Sequence, residues 1–159
     1  MLKVIRKGTI AAAIAVAALV ATFGLVAAPA SAHSFNDAVR SSAGCNWPTG
    51  SYSTREYKTI TNSNNIVLGQ VSLLWHGGRG ENCVVTMKQG SMHGRYTPTT
   101  ATLYREGLSP AVDSGVYAHY AAAAKFARNI CVAYRGWIRD YRDQVDYSAG
   151  RSKFGNCGG

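Results

Sequence analysis

The feature that most limits what this chain can fold into is its hydrophobic period. From residue 52 onward, apolar and aromatic side chains recur at every second position in short runs broken by clusters of Gly, Asn, Ser and Pro. A period of two sets one row of side chains on each face of a β-strand, so the pattern predicts an antiparallel all-β fold. Residues 52–61 form the first expected strand, followed by the turn Thr61-Asn62-Ser63-Asn64-Asn65. Residues 66–75 come next, with Val67, Val71, Leu73 and Trp75 on one face. After the turn His76-Gly77-Gly78-Arg79-Gly80, residues 82–89 make a third strand that points Cys83, Val85 and Met87 together into the core. A loop over 90–98 leads to strands at 100–106 and 116–120. This spacing predicts a small β-sandwich or barrel.

Two segments test that reading. Residues 118–127 hold six alanines with Lys125, and local propensity there favours a helix. Phe126, Arg128, Ile130 and Val132 alternate with smaller or polar residues, so the segment is read as strand. Residues 137–147 interleave Trp137, Tyr141, Val145 and Tyr147 with Arg139, Asp140, Arg142, Asp143 and Asp146, which fits a hairpin arm or a short helix.

The first 32 residues have the layout of a cleaved export signal. Lys3, Arg6 and Lys7 precede an apolar run over 9–26, and Ala30-Ser31-Ala32 supplies the small-x-small cleavage pattern. Cleavage leaves His33 at the mature terminus, with no stable membrane anchor. The expected organisation is a signal peptide over 1–32, an untethered arm over 33–44 and a single β domain over 45–159. The exported part carries fourteen basic and eight acidic residues, a net charge of +6. Outside the cell, that charge suits an anionic envelope polymer rather than nucleic acid.

All four cysteines, Cys45, Cys83, Cys131 and Cys157, lie in the exported part. An even count there reads as two disulfides, and without a Cys-x-x-Cys pair the spacing does not suit zinc. Three pairings are open. The preferred one joins Cys83 to Cys131 inside the core and Cys45 to Cys157 across the termini.

Asn82-Cys83-Val84-Val85-Thr86-Met87-Lys88, Asp113-Ser114-Gly115 with Tyr117 and Tyr120-Ala121, the strand around Cys131-Val132 and the closing Cys157-Gly158 together resemble the actinobacterial spore-associated protein A family. The resemblance runs from Gly44-Cys45 to the end of the chain. Where family members carry Gly-Pro and Trp-Gly-Gly, this sequence has Ala122-Ala123 and Tyr134-Arg135-Gly136, marking a divergent member. The resemblance implies an all-β extracellular protein without an established catalytic site, and it names no mechanism.

The residues point the same way. Asp113-Ser114-Gly115 matches a serine-protease nucleophile turn over three residues only and is read as a polar turn before a strand. No Gly-x-Ser-x-Gly occurs, and Gly77-Gly78-Arg79-Gly80 follows no strand-to-helix pattern that would cradle phosphate. No cofactor and no enzymatic activity are expected. His33 could chelate copper through its α-amine and imidazole, with His76, His93 or His119 as a second ligand, but no histidine lies in a recognisable ligand motif.

Binding is the more natural class. Nine tyrosines and three tryptophans exceed what one small core needs. The basic stretch over 125–153 nominates Tyr134, Trp137, Arg139, Tyr141, Arg142 and Tyr147 as a binding surface. The expected role is that of a secreted, non-enzymatic surface or spore-associated protein. The alternative is an exported protease inhibitor or protein-binding module acting through the loop over 90–98.

Overall fold

The computed structural model describes residues 34–158; the expected signal peptide over 1–32, His33 and Gly159 lie outside the described residues. A short helix α1 (Phe35–Arg40) precedes eight strands: β1 (Ser53–Thr61), β2 (Val67–His76), β3 (Glu81–Lys88), β4 (Thr97–Arg105), β5 (Leu108–Tyr117), β6 (Tyr120–Phe126), β7 (Val132–Arg139) and β8 (Asp146–Gly155). They form two antiparallel sheets, ordered β1-β2-β3-β6 and β5-β4-β7-β8. The chain crosses between the sheets after β3, β5 and β6, giving the expected all-β sandwich.

The space between the sheets is filled by alternate residues of each strand. Val71, Leu73, Val84, Ala121 and Ala123 of the first sheet meet Ala101, Leu103, Val132, Tyr134 and Ile138 of the second. The alanine segment is strand β6, as alternation rather than propensity required, because a packed sheet overrides a weak local preference. Between the sheets Thr86 Oγ1 donates to Thr100 O at 2.9 Å. A Cβ on Gly136 would stand 2.4 Å from that same Thr86 oxygen and 2.8 Å from Val71 Cβ, so only glycine fits there.

Strand boundaries depart from the sequence reading at β8, which runs on to Gly155, at the start of β4, and most of all at β5 and β6. The strand expected at 116–120 is instead two strands, β5 ending at Tyr117 and β6 beginning at Tyr120. Asp113-Ser114-Gly115 is therefore the middle of β5 and not a turn. Its carboxylate explains the difference: Asp113 Oδ2 accepts from Ala122 N at 2.8 Å and Oδ1 from the Tyr117 hydroxyl at 2.5 Å, tying the edge of one sheet to the edge of the other. That hydrogen bond, with burial and the carboxylate's charge, pushes the Tyr117 hydroxyl up to about 12. In β2, Val71 and Leu73 enter the core while Val67 is exposed and Trp75 half-buried. Residues 137–147 are a hairpin, the end of β7 and the start of β8 joined by a turn over 140–145, and not a helix.

The N-terminal arm is not untethered over its described part. Ser34 caps α1 in a reciprocal capping box with Asp37. Ala38 and Val39 of α1, together with Cys45 and Trp47, cover Leu74, Cys83, Val85, Met87 and Ala122 on the outer face of the first sheet. Cys83, Val85 and Met87 do share one face, but it belongs to this second, smaller core. Trp47 Nε1 donates to Glu81 Oε2 at 2.7 Å, and its ring meets His76 edge-on with centroids 5.3 Å apart.

This placement decides the disulfides. The bonds are Cys45–Cys83 and Cys131–Cys157, not the preferred Cys83–Cys131 and Cys45–Cys157. Cys83 faces outward from the first sheet, toward the segment that delivers Cys45. Val132 pairs with Gly155 in the β7/β8 ladder, which sets Cys131 and Cys157 beside each other at one end of that hairpin. Two structural disulfides belong to an oxidising, extracellular-type environment. No helix among the described residues is long and apolar enough to cross a membrane.

One buried cation holds the loops together. Lys88, at the end of β3, is only 1% exposed. Its Nζ donates to Arg95 O at 2.7 Å, Thr97 O at 3.1 Å, Thr97 Oγ1 at 2.7 Å and Tyr117 O at 2.5 Å. The ammonium thus bolts the β3–β4 loop to the end of β5. Burial pushes the amine down to about 8.

Peptide mapping of the oxidised protein should recover Cys45 linked to Cys83 and Cys131 linked to Cys157. Replacing Cys45 and Cys83 by alanine should cost about 4 kcal/mol in chemical unfolding, from the loop of 38 residues released. Lys88→Met should cost at least about 2 kcal/mol, because it strands buried carbonyls without a donor. Between pH 8 and 10.5 the unfolded chain still holds the Lys88 proton while the folded one has lost it, so raising the pH favours folding across that window. The stability of wild type relative to Lys88→Met should rise from pH 8 to 10.5; a flat difference would contradict the depressed amine.

Candidate binding surface

The six nominated residues separate into three places. Tyr134 is fully buried on the inner face of β7 and cannot touch a partner. Its register explains this: Val132, Tyr134, Gly136 and Ile138 point inward, leaving Ala133, Arg135, Trp137 and Arg139 on the outer face. Tyr141, Arg142 and Tyr147 gather at one end of the sandwich. Trp137 and Arg139 remain on the outer face, as nominated.

The end cluster is built around a buried carboxylate. Asp140 is fully buried and accepts from Asn62 Nδ2 at 2.9 Å, Arg142 N at 3.1 Å and Arg142 Nη1 at 3.0 Å. Burial opposes its charge, but these donors and the Arg142 guanidinium together hold its carboxyl below the ordinary range. Arg142 also donates to Ser91 Oγ, and Arg95 and Arg142 each stand 4.9 Å from the centre of the Tyr141 ring. Tyr147 packs against the main core and donates to Asp143 Oδ2 at 2.8 Å. These groups spend their hydrogen-bonding capacity on each other, which makes the cluster a joint of the structure.

The outer face of the second sheet is different. Thr102 pairs with Arg135 and Thr100 with Trp137 across β4 and β7, and Trp137 pairs with Ser148 of β8, so these side chains share one surface. The Arg135 guanidinium lies 5.6 Å from the Trp137 ring. Arg139 is committed to Asp146 through two hydrogen bonds of 2.8 and 2.9 Å, leaving Arg135 as the cation beside Trp137. Beside Arg135 lies a hollow of about 320 Å³ walled by Tyr104, Ala133, Tyr134, Gly150, Arg151, Ser152 and Phe154, in which Arg151 is paired with Glu56 at 3.0 Å. Gly150 lies in its wall at a position only glycine fits: at φ +149° its Cα passes so close to β7 that a Cβ would meet Tyr134 O at 2.2 Å. Val112 and Val116 of β5 extend the exposed apolar surface across the sheet.

Exposed aromatic walls offer ring faces for stacking, and Arg135 offers a planar donor for a carboxylate or phosphate. Arg135, Tyr104 and Phe154 are the members that sequence reasoning missed. Arg135 could have been found from the strand period, which puts it beside Trp137 and opposite Tyr134.

The loop expected over 90–98, the alternative contact, is shorter than that because Thr97 and Pro98 belong to β4; it carries a single turn of 3-10 helix at Gly90–Met92 and ends in Tyr96, which is 76% exposed. Ser114 Oγ lies 2.8 Å from Thr100 Oγ1, a hydroxyl partner and not a base. No family model matches the chain, and neither a curated protein nor a solved structure matches it.

Trp137→Ala should leave the unfolding free energy within about 1 kcal/mol of wild type, as for a surface change, whereas Tyr134→Ala should cost roughly 3–5 kcal/mol by opening a core cavity. Chemical denaturation of both variants checks the assignment of one residue to the surface and the other to the interior.

Proposed function

We propose that this is an exported, non-enzymatic protein of the cell surface or spore coat, a divergent member of the spore-associated protein A type, which binds an anionic envelope polymer on the outer face of its second sheet. The observation that carries the reading is the hollow walled by Tyr104 and Phe154 beside Arg135 and Trp137. A sugar ring would stack on the aromatics while Arg135 meets its acidic group. The net charge of +6 after cleavage supports capture of polyanions, and the two disulfides suit life outside the cell. The non-enzymatic reading draws support from the way Asp113, Asp140 and Ser114 are occupied by internal partners.

A second reading rests on the loop over 90–98. Tyr96 projects from a segment that Lys88 holds rigid, the arrangement a protease inhibitor needs. Inhibition assays against exported proteases, with Tyr96→Ala as the control, separate it from the first. The copper reading that involves His33 lies outside the described residues.

Binding to immobilised teichoic acid should be saturable, should weaken with added salt, and should fall on the order of tenfold, about 1.4 kcal/mol, in Arg135→Ala and in Trp137→Ala. Equal binding by both variants and wild type would remove the outer face from the proposal.

A further inference from the structure

His93 and His119 come from different loops, between β3 and β4 and between β5 and β6, yet their rings meet. His119 Nδ1 and His93 Nε2 are 3.3 Å apart, with ring centroids 4.5 Å apart. Both side chains are half-buried at the surface. As a hydrogen bond the contact needs one ring as donor and the other as acceptor. The same separation suits another use. Two imidazole nitrogens bound to one tetrahedral ion at the usual 2.0–2.1 Å stand about 3.3 Å apart.

The backbone around the pair is fixed more firmly than a chance surface contact requires. Lys88 N donates to His119 O at 2.9 Å, and Gly94 N donates to Ala118 O at 2.9 Å. The Lys88 ammonium joins Arg95 O to Tyr117 O, two residues from each histidine. Both loops are therefore tied together on either side of the rings, and the backbones that carry the two histidines are held side by side before any ligand arrives. A shallow hollow of about 240 Å³, lined by Ala43, Tyr96, Val116, Tyr117 and Tyr120, opens beside His119. It leaves room for further ligands.

We propose that His93 and His119 form a two-histidine site for a divalent transition-metal ion of the zinc or copper class. The ion takes one lone pair from His93 Nε2 and one from His119 Nδ1. The ring hydrogen that lies between them in the metal-free protein moves to the far nitrogen of its own imidazole. Imidazole suits both ions. Among the described residues no group of three or more His, Cys, Asp or Glu is placed to hold a metal, so the remaining positions belong to water or to an anion carried by a partner.

The test is a zinc chloride titration of the oxidised chain with an N-terminal extension, which keeps a free α-amine from lying beside His33. Imidazole nitrogen shifts are followed by NMR. One zinc ion per chain should bind, moving the resonances of His93 Nε2 and His119 Nδ1 together while those of His76 stay in place. His93→Gln and His119→Gln should each lower the affinity at least tenfold with little change in the thermal midpoint. The shifts of the unsubstituted protein decide the question even where a variant folds poorly. Absence of saturable binding, or movement of other histidines in place of this pair, would leave a hydrogen-bonded pair only and overturn the proposal.

Discussion

Everything in this fold depends on burying β3, in the middle of the first sheet, from both sides. β3 has no solvent face: Val84 enters the main core while Cys83, Val85 and Met87 lie beneath the N-terminal segment. A sandwich of this size gains much of its stability from apolar area removed from water, at about 25 cal/mol per Å². A second, outer core adds to that area without a third sheet. The Cys45–Cys83 bond holds this cover in place, and the Trp47 contact with Glu81 gives its one large polar ring a partner.

The second sheet follows the opposite rule. Its inner face fills the core, while its outer face keeps Trp137, Arg135, Tyr104 and Phe154 half-exposed or exposed. One side of the molecule is spent on stability and the other is left available for contact. The register shift in the β7/β8 ladder between Val132 and Tyr134 marks where the two uses meet, since Ser152 and Phe154 of the out-of-register part of β8 wall the hollow.

Period two made most of this architecture legible. It located β1 to β4 within one to three residues at each end and kept residues 118–127 as strand against their propensity. It failed where a side chain replaced the usual punctuation. Asp-Ser-Gly looks like a turn because these residues bond their own backbone in turns, but Asp113 bonds a neighbouring strand instead. The binding surface was half legible: residue type singled out Tyr134 and Trp137 alike, and only the inward register of β7 tells them apart. The disulfide partners were hidden because the face to which Cys83 points depends on what the first dozen described residues do. Nor does any local signal mark Lys88 as a clasp, since its acceptors are the Thr97 hydroxyl and main-chain oxygens brought in from the following loop, the start of β4 and the end of β5.

The pairing of first cysteine with second and third with fourth has a consequence for biogenesis. As a chain emerges from its N-terminus, Cys45 and Cys83 are both available before Cys131 appears, and Cys157 follows its own partner by 26 residues. Each bond joins neighbours in order of emergence, so an oxidant that couples thiols as they appear makes the native set directly. The crossed and nested arrangements would each hold an early cysteine open until much later chain arrived. Such a protein can mature by simple oxidation, with no call on an isomerase to reshuffle its bonds.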